Sequence, residues 1–263
     1  MTGLQKRLAV SGVMIAVSLS AIFIAPEWFF FLVIEAFILT GLHEYLKLAA
    51  MKGVPVHPRL SLLCGGLLPL GVWFGAETLV LLLSCLALFA ANFRKEDHPH
   101  ALLSTALGLF GILYVAWFFS FMSRLHALND GPAWVFYAIL TVKGGDAAAY
   151  FVGKRYGRRR LAEAISPKKS IEGAIGGFVA TLVLSIFSAV YLPAASLWHL
   201  VLLGVVTGVL SQLGDLVESL IKRDVGVKDS GQVPGLGGIL DVMDSLLLTV
   251  PFIYTFVTAF HLA

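Results

Sequence analysis

WHLVLLGVVTGVLSQLGDLVESLI, residues 198–221, decides the architecture of this chain. No formal charge precedes Asp215 in it, and its length matches the roughly 20 residues needed to cross a bilayer. Its apolar positions run on without the period-two alternation of a barrel strand, so it reads as a membrane helix. The end of the segment differs in kind. Asp215, Glu218, Ser219 and Lys222 follow one another at helical spacings, which gathers them on one face. A carboxylate this close to hydrocarbon costs on the order of 2.5–3.5 kcal/mol by insertion scales, and less near the interface, so it calls for a partner.

Similar apolar runs lie near 8–25, 28–42, 60–75, 78–92, 101–122, 133–152, 174–192 and 238–260. Together they predict an all-α polytopic integral membrane protein with about nine transmembrane helices. Composition agrees: 58% of residues are hydrophobic and 13% charged, too little polar sequence to coat a soluble globule of this size. Lys6 and Arg7 precede the first run as in a signal peptide, but Ala21–Ala25 passes through Pro26 and Glu27 into another apolar run, so a retained anchor is expected. Nine spans starting inside place 43–59, 93–100, 153–173 and 222–237 in the cytoplasm, and every Lys and Arg except Arg124 then lies on that side or at the inner end of a span. A pI near 8.9 therefore reflects basic residues beside anionic headgroups and not a nucleic-acid surface.

One membrane domain is expected over 1–263, with 1–130 as scaffold helices and 131–263 carrying the chemistry. Cys64 and Cys85 fall inside spans without metal-ligand spacing and read as small buried side chains. Glu35 and Glu44 read as acids near helix ends, and His43 beside Glu44 as a structural pair.

Three constellations carry chemistry. The first is GDLVESLIKR, Gly214–Arg223. GLGGILDVMDS, Gly235–Ser245, opens the next run and puts Asp241, Asp244 and Ser245 on one helical face. Consecutive antiparallel spans bring the end of one and the start of the other to one membrane level. Asp215, Asp241 and Asp244 then form an oxygen-rich set of the kind Mg²⁺ prefers, with a second cation also admissible, and such a site implies phosphate. Between them, Lys222, Arg223 and Lys228 supply positive charge, while glycines let backbone N–H groups approach an anion. The third runs from Lys143 to Gly177: Asp146 with Tyr150 one turn on, a basic cluster at Lys154, Arg155, Arg158, Arg159 and Arg160, and Ser166-Pro-Lys-Lys-Ser170. The proline there predicts a turn, Lys168 and Lys169 suit a polyphosphate, and Ser170 is placed to cap the next helix. Glu172 suits the dipole of that helix without any ligand.

In this order the segments resemble the phosphatidate cytidylyltransferase (CDP-diacylglycerol synthase) family of integral membrane enzymes. The resemblance covers roughly 140–250 and is most specific from Ser219 to Ser245, where Ser219, Lys222, Arg223, Lys228, Asp229, Pro234, Gly235, Gly237, Gly238, Asp241, Asp244 and Ser245 match the family pattern. Leu236 stands where the family has His, and Val242 where it has Arg. The resemblance implies Mg²⁺-dependent transfer of CMP from CTP to phosphatidic acid, in the plasma membrane of a prokaryote, with the site facing the cytoplasm and a homodimer as the usual assembly. It implies Asp215, Asp241 and Asp244 as metal and catalytic residues with Lys222 and Lys228. Ser166, Lys168, Lys169, Ser170, Ser219, Arg223, Asp229, Gly237, Gly238 and Asp146 would contact substrate. The departures at Leu236 and Val242 leave open a non-catalytic or substrate-divergent paralogue. An ion-coupled transporter is a third reading, opposed by acids at a rim instead of the midplane and by the lack of a repeat. No G-x-G-x-x-G or P-loop pattern is present, so a nucleotide site must be built from helix ends and loops.

Overall fold

The computed structural model describes residue 12 and residues 16–93, 100–231 and 237–263; Lys6, Arg7, Pro234, Gly235 and Leu236 lie outside the described residues. Where the sequence is apolar the chain is helical. We label the helices α1 (Glu27–Ala50), α2 (Pro58–Trp73), α3 (Glu77–Asn92), α4 (Ala101–His126), α5 (Gly131–Tyr156), α6 (Ile171–Phe187), α7 (Leu197–Asp224) and α8 (Ile239–Ala259). Residues 16–23 are also helical.

Six helical segments are long and apolar enough to cross a membrane: α1, α4, α5, α7, α8, and α6 together with the 3₁₀ turn Ser188–Val190 that extends it. The runs near 60–75 and 78–92 became α2 and α3, each of 16 residues. At about 1.5 Å per residue such a helix falls short of a hydrocarbon core roughly 30 Å thick. Burial follows the logic of lipid solvent. Ser61, Ser84, Asn92 and Thr105 are at most 4% exposed, while Leu63, Phe74 and Leu102 are 60–77% exposed. Ser84, Asn92 and Thr105 find hydrogen-bond partners within the protein, and the large apolar side chains are left for acyl chains.

The described residues form two compact units, one within 1–124 and 224–243, the other within 125–223 and 244–263. In the first, α1–α4 pack on one another, and α4 relaxes into a π-helical stretch at Ile112–Trp117. Asn92 ties α3 to α4 by donating to Thr105 Oγ1 at 3.2 Å. Arg124, the one basic residue that the charge pattern leaves outside, pairs with Glu77 at 2.5 Å.

The second unit is built around the seam between α5 and α6. Gly145, Ala149 and Gly153 on α5 face Gly173, Gly177 and Thr181 on α6, both sets at steps of four. A Cβ on Gly177 would lie 2.8 Å from that of Ala149, and one on Gly173 2.8 Å from the Ala149 carbonyl oxygen. Small residues at this period let two membrane helices approach backbone to backbone. Between the helices lies a short antiparallel hairpin, β1 (Arg160–Ala162) and β2 (Ser166–Ser170). The Ser166–Ser170 stretch is therefore a strand and not the turn its proline predicts. Proline is tolerated because a two-stranded ribbon consists only of edges.

Candidate functional site

A cleft of about 500 Å³ opens in the second unit. Three elements supply its charge. Asp146, Tyr150 and Lys154 come from α5 at steps of four, Lys168 and Lys169 from β2, and Asp215 from α7. Ser170 closes the hairpin side: its Oγ accepts the Gly173 N–H at 3.1 Å, the N-cap of α6 that the sequence predicts. β2 thus contributes both Lys168 and Lys169 to the cleft lining while its last residue caps a helix. Lys169 Nζ lies 2.6 Å from Asp215 Oδ2. Gln212, one turn before Asp215, donates its amide to the carbonyls of Ala174 at 3.0 Å and Gly208 at 3.1 Å, fixing the α7 wall.

Asp146 also belongs to a tighter group. Lys143 Nζ donates to Ser245 Oγ at 2.9 Å and to Asp146 Oδ2 at 3.2 Å, and lies 3.6 Å from Asp244 Oδ1. Ser245 Oγ in turn donates to Asp146 Oδ2 at 2.8 Å, and Asp215 adds to the negative field at the lysine. Gly214 makes this possible, since a Cβ there would sit 2.5 Å from the Asp244 carbonyl oxygen and force α7 away from α8. Lys143 is the member that sequence reasoning missed; a lysine in mid-span three residues from Asp146 was the available signal.

Oxygens of Asp146, Asp244 and Ser245 thus surround one positive centre already, a donor set that suits a hard cation. No three acids, histidines or cysteines among the described residues are gathered closely enough to hold a metal ion by themselves.

The other expected residues have different surroundings. Lys222 is buried on α7 and ion-paired with Glu218. Ser219 is buried beside it, and Arg223 Nε donates to the Ile165 carbonyl at 3.1 Å. Ser166 begins β2 and does not line the cleft. Glu172 accepts the backbone N–H groups of Arg158 at 3.0 Å and Arg159 at 3.2 Å, which holds the basic cluster against the start of α6.

Lys228, Asp229, Gly237, Gly238 and Asp241 belong to the first unit. Lys228 and Asp229 are exposed. Gly237 takes φ +85°, a conformation that favours glycine. Asp241 Oδ2 accepts from Gly238 N at 2.7 Å, Ser230 N at 3.0 Å and Ser230 Oγ at 2.9 Å. Glu44 is the second residue that sequence reasoning missed. It does not form the expected pair with His43; it is 7% exposed and accepts from Ser230 Oγ, Ile239 N and Leu240 N.

An α-helical integral membrane protein with lysines and carboxylates converging on one cleft is built to handle phosphorylated ligands at a bilayer. The chain belongs to the cytidylyltransferase family, whose sequence pattern matches residues 5–260. It is 34% identical to a phosphatidate cytidylyltransferase of Synechocystis over 95% of this chain and 94% of that protein. A phosphatidate cytidylyltransferase of Haemophilus influenzae is 30% identical over 95% and 96% of the two chains, and one of Bacillus subtilis is 42% identical over 56% of each.

Proposed function

We propose that this protein is a CTP:phosphatidate cytidylyltransferase, forming CDP-diacylglycerol and pyrophosphate. The observation that carries the reading is the cleft in which Lys154, Lys168 and Lys169 oppose Asp146 and Asp215, within the region matched by the family. A phosphatidate oxygen attacks the α-phosphorus of CTP; the new P–O bond forms as the bond to pyrophosphate breaks, and pyrophosphate leaves with its electron pair. The nucleophile is already anionic, so no strong base is required, and catalysis rests on positioning and charge neutralisation. Lys154, Lys168 and Lys169 hold the triphosphate. Lys143 keeps Asp146, Asp244 and Ser245 in one arrangement.

Magnesium, when bound, would neutralise developing charge on the phosphates, and Asp146 and Asp215 of the cleft would hold it together with the phosphates themselves. Asp241, with one oxygen already accepting three hydrogen bonds, fits better as an organiser of the neighbouring loop. About nine spans, an inner-membrane location, a cytoplasmic site and a homodimer complete the proposal.

The deciding experiment measures CDP-diacylglycerol formed from CTP and phosphatidic acid by the purified protein in detergent, with and without Mg²⁺. Asp215→Asn is expected to lower turnover at least a hundredfold while the protein stays folded. No product from folded wild-type protein would shift the reading to a substrate-divergent or non-catalytic paralogue, consistent with Leu236 and Val242.

A further inference from the structure

Glu44 lies near the end of α1, and the reaction described above does not use it. Its carboxylate nonetheless accepts three hydrogen bonds. Oε2 accepts from Ser230 Oγ at 2.9 Å and from Leu240 N at 2.9 Å, while Oε1 accepts from Ile239 N at 3.1 Å. Ile239 and Leu240 are the first residues of α8, so their N–H groups have no partner inside the helix. A carboxylate from another helix thus caps α8, and the negative charge is placed where the helix dipole favours it.

Two glycines are shaped around the same carboxylate. A Cβ on Gly231 would collide with Glu44 Oε1, and one on Gly238 with Oε2. The sequence suggests that these glycines let backbone approach a ligand; at these two positions what approaches is a side chain of the protein itself. Ser230 joins the arrangement to Asp241, whose Oδ2 accepts from its Oγ at 2.9 Å and its N–H at 3.0 Å.

We propose that Glu44 is a positioning residue for the cytidylyl transfer: it pins Ser230 and the first turn of α8 together, and so sets the register of the helix whose next turn carries Asp244 and Ser245. This inference rests on the activity proposed above. A substitute that cannot accept at both oxygens must release one end of the pin. Glu44→Gln is such a substitute, because its amide NH₂ meets either the Leu240 N–H or the Ile239 N–H, donor against donor.

The test compares wild type, Glu44→Gln and Ser230→Ala as purified full-length proteins in detergent, by hydrogen–deuterium exchange and by steady-state kinetics. In Glu44→Gln, exchange at Ile239 and Leu240 is expected to quicken at least tenfold while that of α5 and α6 is unchanged. The kcat is expected to fall at least tenfold, with the KM for CTP within about threefold of wild type. Ser230→Ala should produce a smaller loss, and adding it to Glu44→Gln should lower kcat little further, since both changes break one connection. Unchanged exchange at the start of α8 would overturn the pin. Faster exchange with kcat within twofold of wild type would overturn the positioning role. So would a kcat loss accompanied by faster exchange throughout, with Ser230→Ala additive to it, since that pattern marks general unfolding. An inactive wild type would instead refute the proposed reaction and with it the role in turnover, and exchange alone would then decide the pin.

Discussion

At Lys143 one ammonium balances the carboxylates of Asp146 and Asp244, with the Ser245 hydroxyl between them. Lys143→Met keeps much of the length and removes the charge, leaving the carboxylates of Asp146 and Asp244 without the ammonium they share. The substitution is expected to destabilise the protein by about 2 kcal/mol, less than for a fully buried pair because the lysine is partly exposed. Denaturation in mixed micelles would read this, and Lys143→Arg should recover part of the loss. The sequence reveals such residues unevenly. Asp146, Lys168, Lys169 and Asp215 are conspicuous as charges bordering apolar runs, and all four line the cleft. Glu44 is equally charged, yet its partners Ile239 and Leu240 are apolar residues acting through their backbones, and no pattern of side chains announces them. Lys222, beside a glycine-rich loop, suggests a phosphate ligand, and Glu218 one turn earlier pairs with it.

Helices were legible because hydrocarbon leaves the backbone so few choices, and the apolar runs mark α1–α8 closely. What escaped is how they meet and what joins them. The β1–β2 hairpin has strands of three and five residues, too short for alternation to show, and its proline points to a turn. The α5–α6 seam was hidden for a different reason, since its small residues are scattered among apolar ones and matter only through contact with the opposite helix. The seam makes a sharp prediction. Gly177→Val drives a branched side chain toward Ala149 Cβ and the Gly145 carbonyl, 2.8 and 3.0 Å from the first added carbon. We expect a loss of about 1–3 kcal/mol and reduced turnover, because the same helices carry Asp146, Lys154 and Ser170. Gly12→Val, where an added Cβ meets nothing within 4 Å, is the control expected to change neither.

Across the whole molecule the chain passes between its two units at residues 124–125, 223–224 and 243–244, so neither unit is a continuous piece of sequence. Charge placement predicts an orientation for the chain but not this interleaving, because positive-inside reasoning orders segments and is silent on their packing. The proposed orientation can be checked directly. With Cys64 and Cys85 replaced by serine, Arg159→Cys, an exposed position, should react with a membrane-impermeant maleimide in inverted vesicles and not in intact cells. The Glu44 pin has a bearing on biosynthesis as well. Its partners Ile239 and Leu240 lie 195 and 196 residues further along the chain, so α1 must enter the membrane with an acid whose partners have not yet been translated. Until α8 emerges from the ribosome, that carboxylate is without the backbone donors of the folded protein. A chain terminated before α8 would keep it so, which gives a membrane protease or insertase a chemical mark by which to tell an unfinished protein from a finished one.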